Sequence, residues 1–178
     1  LSAALDVRPG TTRWAGHFGG ASAVAALALY GALQAVDGVA NKQADVAWAS
    51  APDAERAARF ASAEAVRWIE WGLRSYHDYA LGLALVLLAA AVARTAGIPR
   101  PIAVPMGLSG LAYLAQGWVV GIEGFSERES MTIVLAWALG ILWMTWLVVV
   151  AWRIRNSAPR HQSDEGGERR VAEYVPSL

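Results

Sequence analysis

The sequence predicts an all-α, polytopic membrane protein in which four transmembrane helices form a bundle. Runs without Asp, Glu, Lys or Arg cover residues 14–36, 101–122 and 130–152, and a shorter run covers 79–93. An α-helix needs about 20 apolar residues to cross a hydrocarbon core roughly 30 Å thick. Hydrophobic residues make up 56% of the 178-residue chain and the net charge is zero, a composition too apolar for an ordinary soluble domain.

These runs divide the chain into a membrane domain with polar ends. The expected order is a cytoplasmic N-terminal segment (1–13), spans at about 14–36, 75–95, 101–122 and 130–152, and a polar cytoplasmic tail (154–178). The first run could be a signal peptide, because Gly38-Val39-Ala40 is a plausible cleavage site, but the run is longer than a usual h-region. We therefore expect a retained helix. The chain opens on Leu1 instead of Met, so an upstream piece can be missing.

An additional helix is expected between the first two spans. Ser50-Ala51-Pro52-Asp53 combines a capping hydroxyl, an early-turn proline and an acid, which together favour a helix start. Polar and apolar residues then alternate with helical spacing until Gly72. The pattern predicts an extracytoplasmic amphipathic helix over 51–72 that either runs into the second span or bends into it at Gly72.

The basic residues predict the orientation. With four spans, the two termini and the loop 94–100 share one side of the membrane. That side carries seven arginines at positions 8, 13, 94, 100, 153, 155 and 160, whereas the loop 123–129 opposite carries only Arg128. The positive-inside rule then places both termini in the cytoplasm.

The short second run points to a polar site at membrane depth. Its 15 residues give about 22 Å of helix, less than the hydrocarbon thickness, so ionisable groups next to it are drawn toward the bundle. Asp37 and Glu123 end the first and third spans on the same side. The candidate ligand-binding cluster at the extracytoplasmic end of the bundle consists of Asp37, Glu70, Arg74, His77, Asp78 and Glu123. The alternative is a purely structural role, in which a chain of ion pairs holds the amphipathic helix against the bundle.

The spacing within this cluster disfavours metal and haem. Glu70 and His77 are seven residues apart, about 10 Å along a helix, unlike the Glu-x-x-His pairs of carboxylate metal sites. His17 and His77 fall near opposite ends of their spans, so they cannot ligate one haem iron. No metal or cofactor is predicted, although haem and quinone stay possible.

Trp143 and Trp146 lie near the middle or inner half of the fourth span, away from the interface depths that tryptophan favours. The simplest interpretation is packing against neighbouring helices. The alternative is contact with a partner subunit, a pigment or a quinone.

Several function classes are excluded or disfavoured. Zero net charge argues against a nucleic-acid partner. The absence of cysteine excludes disulfides, thiolate metal sites and cysteine nucleophiles. The chain has no G-x-S-x-G elbow, phosphate-binding glycine loop, H-E-x-x-H motif or dinucleotide fingerprint.

Two segments carry a family resemblance. They are Gly110-Leu-Ala-Tyr-Leu-Ala-Gln-Gly-Trp-Val-Val-Gly-Ile-Glu-Gly-Phe-Ser126 and Ala63-Glu-Ala-Val-Arg-Trp-Ile-Glu-Trp-Gly72. The chain resembles, over about residues 50–150, bacterial multi-pass membrane proteins known only as a domain of unknown function. The resemblance implies a bacterial inner-membrane setting and draws attention to Glu64, Glu70 and Glu123, but it carries no activity.

Three functions follow as hypotheses. The first is a non-catalytic accessory or assembly subunit that holds a larger membrane complex, or a homo-oligomer, through its helix faces. The second is a small-ligand or lipid site at the polar cluster. The third is a pigment- or quinone-associated subunit.

Overall fold

The computed structural model describes residues 11–95 and 98–157, and these residues are helical with no strand. The expected segment 1–13 and tail 154–178 therefore fall largely outside the described residues. Four helices are long and apolar enough to cross a membrane: Arg13–Ala49, Asp53–Ala93, Arg100–Glu123 and Glu127–Arg153. The prediction of four membrane-spanning helices is confirmed at this level.

The first long helix contains a change of helical type. It begins as α1 (Thr11–Ala35), widens into a π-helical segment (Val36–Asn41) and continues as α2 (Lys42–Ala49). It is therefore longer than the expected span 14–36. A short turn follows, in which the Ser50 hydroxyl donates to the Val46 carbonyl, so Ser50 does not cap the next helix.

The second long helix, α3 (Asp53–Ala93), is continuous over 41 residues. The expected amphipathic helix 51–72 and the second span are thus parts of a single helix, without a break at Gly72. At 1.5 Å per residue it is about 61 Å long, roughly twice the hydrocarbon thickness. The first half of α3 runs back along the π segment and α2, and we call residues 36–72 the helical hairpin.

The third and fourth long helices follow after short connections. A 3₁₀ turn (Arg100–Ile102) leads into α4 (Ala103–Glu123), which ends at Gly124 with φ of 66°. This left-handed conformation favours glycine, and a Cβ there would also lie 2.7 Å from the Trp71 ring. α5 (Glu127–Ser157) starts with the Glu129 amide donating to the Ser126 hydroxyl, a normal N-terminal cap.

The closest helix packing is between α3 and α4. A Cβ built on Gly82 would lie 2.7 Å from the Gly110 carbonyl oxygen, and one on Gly117 would lie 2.9 Å from the Ser75 carbonyl oxygen. The Ser75 hydroxyl donates to the Gly117 carbonyl at 2.7 Å. Small residues and a side-chain hydrogen bond are what hold helices together where lipid removes the hydrophobic driving force.

The chain divides into two units, Leu1–Met144 and Thr145–Leu178. The first unit contains all the helix packing described above, together with α5 up to Met144. The described part of the second unit is the end of α5, which carries the exposed Trp146 and Trp152.

Candidate functional site

A polar cavity of about 240 Å³ lies inside the first unit, and we call it the pocket. Helices α1, α3, α4 and α5 all contribute side chains to it. Its lining consists of Tyr30, Leu33, Gln34, Arg74, His77, Asp78, Tyr113, Ile133 and Trp137. The lining residues from α1, α4 and α5 fall within the apolar parts of those helices. The pocket therefore lies among the candidate spans and not in the helical hairpin.

Asp78 is the most deeply buried charged group of the pocket, with 1% of its surface exposed. Its partner is Arg74, whose Nε lies 3.6 Å from Oδ2. Charge-assisted hydrogen bonds are normally about 2.7–2.9 Å long, and Oδ2 makes no hydrogen bond among the described residues. Asp78 is therefore paired electrostatically but retains a free acceptor.

Arg74 also pairs with a carboxylate from α5. Its Nη2 lies 3.6 Å from Glu129 Oε1, and the buried Gln116 amide donates to the same oxygen at 3.3 Å. Arg74 thus lies between two buried carboxylates from different helices. This group connects α3, α4 and α5 in the part of the structure before Met144.

His77 is held in one orientation by the neighbouring helix. Its Nδ1 lies 2.9 Å from the Ala26 carbonyl oxygen of α1. Because a carbonyl can only accept, Nδ1 carries a proton, and Nε2 is an acceptor in the neutral form of the ring. Nε2 lies 4.0 Å from Asp78 Oδ1, and the Tyr30 ring packs against the imidazole with 5.4 Å between ring centroids.

Glu70 belongs to a second group within the hairpin, the hairpin cluster of Asn41, Asp45, Arg67 and Glu70. The Asn41 side-chain amide donates to Glu70 Oε2, and Arg67 Nη1 lies 3.5 Å from the same oxygen. Arg67 Nη2 also lies 3.7 Å from Asp45 Oδ2. Glu70 is satisfied by these neighbours and does not line the pocket.

Asp37 and Glu123 are both exposed and lie outside the two groups. Glu123 pairs with Arg128 at 2.8 Å across the α4–α5 turn. Asp37 lies on the π segment. Leu33 is buried, and in a regular α-helix a residue four positions later would share its face. The wider π turn shifts this face, so that Asn41 is buried and Asp37 is not.

Of the six sequence-predicted residues, the structure thus brings Arg74, His77 and Asp78 together. Sequence reasoning missed Glu129, Gln116 and Asn41 as members of buried networks. Gln116 could have been noticed as a polar residue in the middle of a charge-free span. Glu129 lies just before the fourth charge-free run, where nothing in the sequence predicts burial, and no sequence signal marks the π turn next to Asn41.

The candidate contact residues Trp143 and Trp146 fall in different units. Trp143 lines an apolar groove of about 500 Å³ together with Leu81, Leu85 and Ser109. Its indole nitrogen is buried and has no hydrogen-bond partner within residues 11–95 and 98–157. Tyr113 and Trp137 line both this groove and the pocket. Trp146 belongs to the second unit and is exposed.

The described residues contain no group of three or more His, Asp or Glu side chains that could hold a metal ion. His17 lies on the exposed surface near the start of α1, where Arg13 Nε is 3.5 Å from its Nε2. The polar lining of the pocket therefore consists of one carboxylate, one imidazole, one guanidinium, one amide and aromatic side chains.

Comparison of the chain with models of known protein families, with curated proteins and with solved structures found no match. A fold alone does not define a function, so the functional conclusion depends on the site.

Proposed function

We propose that this protein is a non-catalytic integral membrane protein that binds a small molecule in the pocket. The observation that carries the proposal is Asp78, a carboxylate 1% exposed that lines a cavity among the spans while one of its oxygens accepts no hydrogen bond from the described residues. Convergent polar groups in a pocket with apolar and aromatic walls are typical of small-molecule sites.

Energetics favour a ligand over a purely structural ion pair. A buried ionisable group is costly inside a membrane, and such residues usually mark binding or transport sites. Replacing a buried ion pair by well-packed apolar residues is often neutral or stabilising. The Arg74–Asp78 and Arg74–Glu129 distances of 3.6 Å are also longer than those of a hydrogen-bonded structural pair.

The membrane setting is part of the same proposal. We propose a bacterial inner membrane, as the family resemblance implies, with the four helices as a bundle and both termini in the cytoplasm. Arg94 and Arg100 at the end away from the hairpin support this orientation. The hairpin would then be extracytoplasmic, with the amphipathic first half of α3 outside the bilayer. The pocket would lie in the extracytoplasmic half of the bilayer.

Co-purification tests the proposal directly. The protein is purified in mild detergent and small molecules released from it are identified by native mass spectrometry. We expect a bound species with the wild type and with the control Glu123→Gln, and its loss with Asp78→Asn. A bound species retained equally by Asp78→Asn, or none with any protein, contradicts the proposal.

A second candidate is an accessory or assembly subunit. The supporting observation is the apolar groove beside Trp143, whose buried indole N–H has no acceptor in the described residues and could find one on a partner helix. Mass measurement in mild detergent tests it: a larger complex that Trp143→Phe weakens supports this candidate, and a stable monomer contradicts it.

A pigment or quinone in the same groove would appear in the absorption spectrum of the purified protein.

A further inference from the structure

We infer that the ligand of the pocket is a small protonated amine. The inference rests on the proposed function, since it names the chemical class that the same site would bind. Three features of the pocket lead to it: the charge balance of its buried groups, the hydrogen-bond acceptors of Asp78 and His77, and the aromatic side chains in its walls.

With Asp78 and Glu129 both ionised, the charge balance of the buried groups is negative. Asp78 and Glu129 each pair with the one guanidinium of Arg74, so two carboxylates share one cation. The His77 side chain is only 13% exposed, and burial favours the neutral ring, which contributes no compensating charge. A monocationic ligand would neutralise this group, whereas an anion would have to approach two carboxylates whose one cation is already engaged.

Two hydrogen-bond acceptors of the pocket lie close together on Asp78 and His77. Asp78 Oδ2 has no hydrogen bond from the described residues, and the neutral His77 ring presents Nε2, which lies 4.0 Å from the other Asp78 oxygen. An alkylammonium group has three donors and no acceptor, so it matches both atoms at once. A carboxylate or phosphate, which only accepts, would leave them unsatisfied.

The walls also suit a cation. Tyr30, Tyr113 and Trp137 line the cavity, and aromatic faces attract cations, most strongly when the site is desolvated. The volume of about 240 Å³ is below the usual range for drug-sized ligands. The pocket therefore suits a compact amine and not an entire lipid.

Three cyclohexane derivatives test the inference: the isosteric pair cyclohexylamine and cyclohexanol, and the anion cyclohexanecarboxylate. Each is titrated calorimetrically into the purified protein in lipid nanodiscs at neutral pH. We expect the amine to bind at least about tenfold more tightly than the alcohol, since a charge-assisted hydrogen bond is worth about this much. The carboxylate should not bind. Asp78→Asn should weaken binding of the amine about tenfold and leave binding of the alcohol unchanged.

A second variant, Trp137→Leu, keeps the inference testable if Asp78→Asn does not fold. Trp137 is 57% exposed, so Trp137→Leu should fold, and it should weaken amine binding a few-fold through loss of the cation–π contact. Preferential binding of the alcohol or the carboxylate, or failure of all three probes, overturns the inference. The proposed function fails separately, if co-purification finds no species whose binding depends on Asp78.

Discussion

Asn41 and Asp37 lie four residues apart on the first long helix, but only Asn41 contacts the helix that follows. Its side-chain amide donates to the buried Glu70 carboxylate, while Asp37 is exposed. The difference follows from the π segment, which adds a residue to the turn and changes which side chains face α3. A single irregular turn thus decides which polar residue joins the hairpin cluster.

We predict that Asn41→Ala lowers the free energy of unfolding by about 1–3 kcal/mol, because it leaves a buried carboxylate oxygen without this donor. The matched variant Asp37→Ala should change stability by less than about 0.5 kcal/mol, as for other exposed positions. Unfolding in mixed micelles with increasing denaturing detergent measures both. Equal effects of the two substitutions contradict the assignment of Asn41 to the hairpin cluster.

Residues such as Arg74, His77 and Asp78 were predictable as a site because they border an unusually short charge-free run. Their partners were not predictable. Glu129 of α5 pairs with Arg74, and Gln116 of α4 donates to Glu129, so both contacts depend on how three helices are arranged. Contacts between residues distant in sequence depend on helix rotation, which hydropathy alone does not specify.

The helix α3 is the element on which α1 and α4 pack. Its Gly82 meets Gly110 of α4, and its Leu88 meets Gly19 of α1, where a Cβ would lie 3.0 Å from the leucine side chain. Small residues on one side and larger ones on the other allow α3 to contact two helices. The same helix supplies three of the residues that line the pocket.

We expect Gly82→Ala to destabilise the protein, because its Cβ would lie 2.7 Å from the backbone oxygen of Gly110 and the helices would have to separate. Overpacking of this kind typically costs about 1–3 kcal/mol. Gly31→Ala is the control: nothing lies within 4 Å of its Cβ, and alanine is favoured over glycine in a helix by about 0.5–1 kcal/mol. Thermal unfolding in detergent compares them, and a stabilising Gly82→Ala contradicts the close α3–α4 contact.

For the secondary-structure elements, the sequence predicted that the helices exist but did not predict all of the residues at which they begin and end. Charge-free runs marked the four apolar segments. The continuation of α3 from Asp53 through Gly72 could not be settled, because a glycine in a helix costs only about 1 kcal/mol and does not enforce a bend. The first long helix is extended by α2, which lies beyond its apolar run.

For the whole molecule, the alternation of long helices and short turns fixes which turns share a membrane face. If all four long helices cross, the turn at Ser50 and the turn at Ser126 lie on one face, and the 3₁₀ turn at Arg100 lies on the other. The orientation of these faces is a proposal that depends on the positive-inside rule.

The absence of cysteine makes topology directly measurable. We predict that single cysteines at Ser50 and Ser126 react with a membrane-impermeant thiol reagent on intact cells, and that one at Arg100 reacts only after the membrane is permeabilised. The reverse pattern would mean an inverted orientation. Reaction of all three on intact cells would contradict the assignment of four membrane crossings.

The central claim is that a polar cavity accessible to water lies among membrane-spanning helices. Ile133 lines the pocket, whereas its neighbour Val134, 64% exposed, lies at nearly the same depth on the outer surface. A cysteine reacts as a thiolate, which forms in a hydrated cavity but is disfavoured in lipid. In native membranes, Ile133→Cys should react with a small water-soluble thiol reagent many times faster than Val134→Cys. Equal rates at the two positions, or faster reaction at Val134→Cys, would contradict the account.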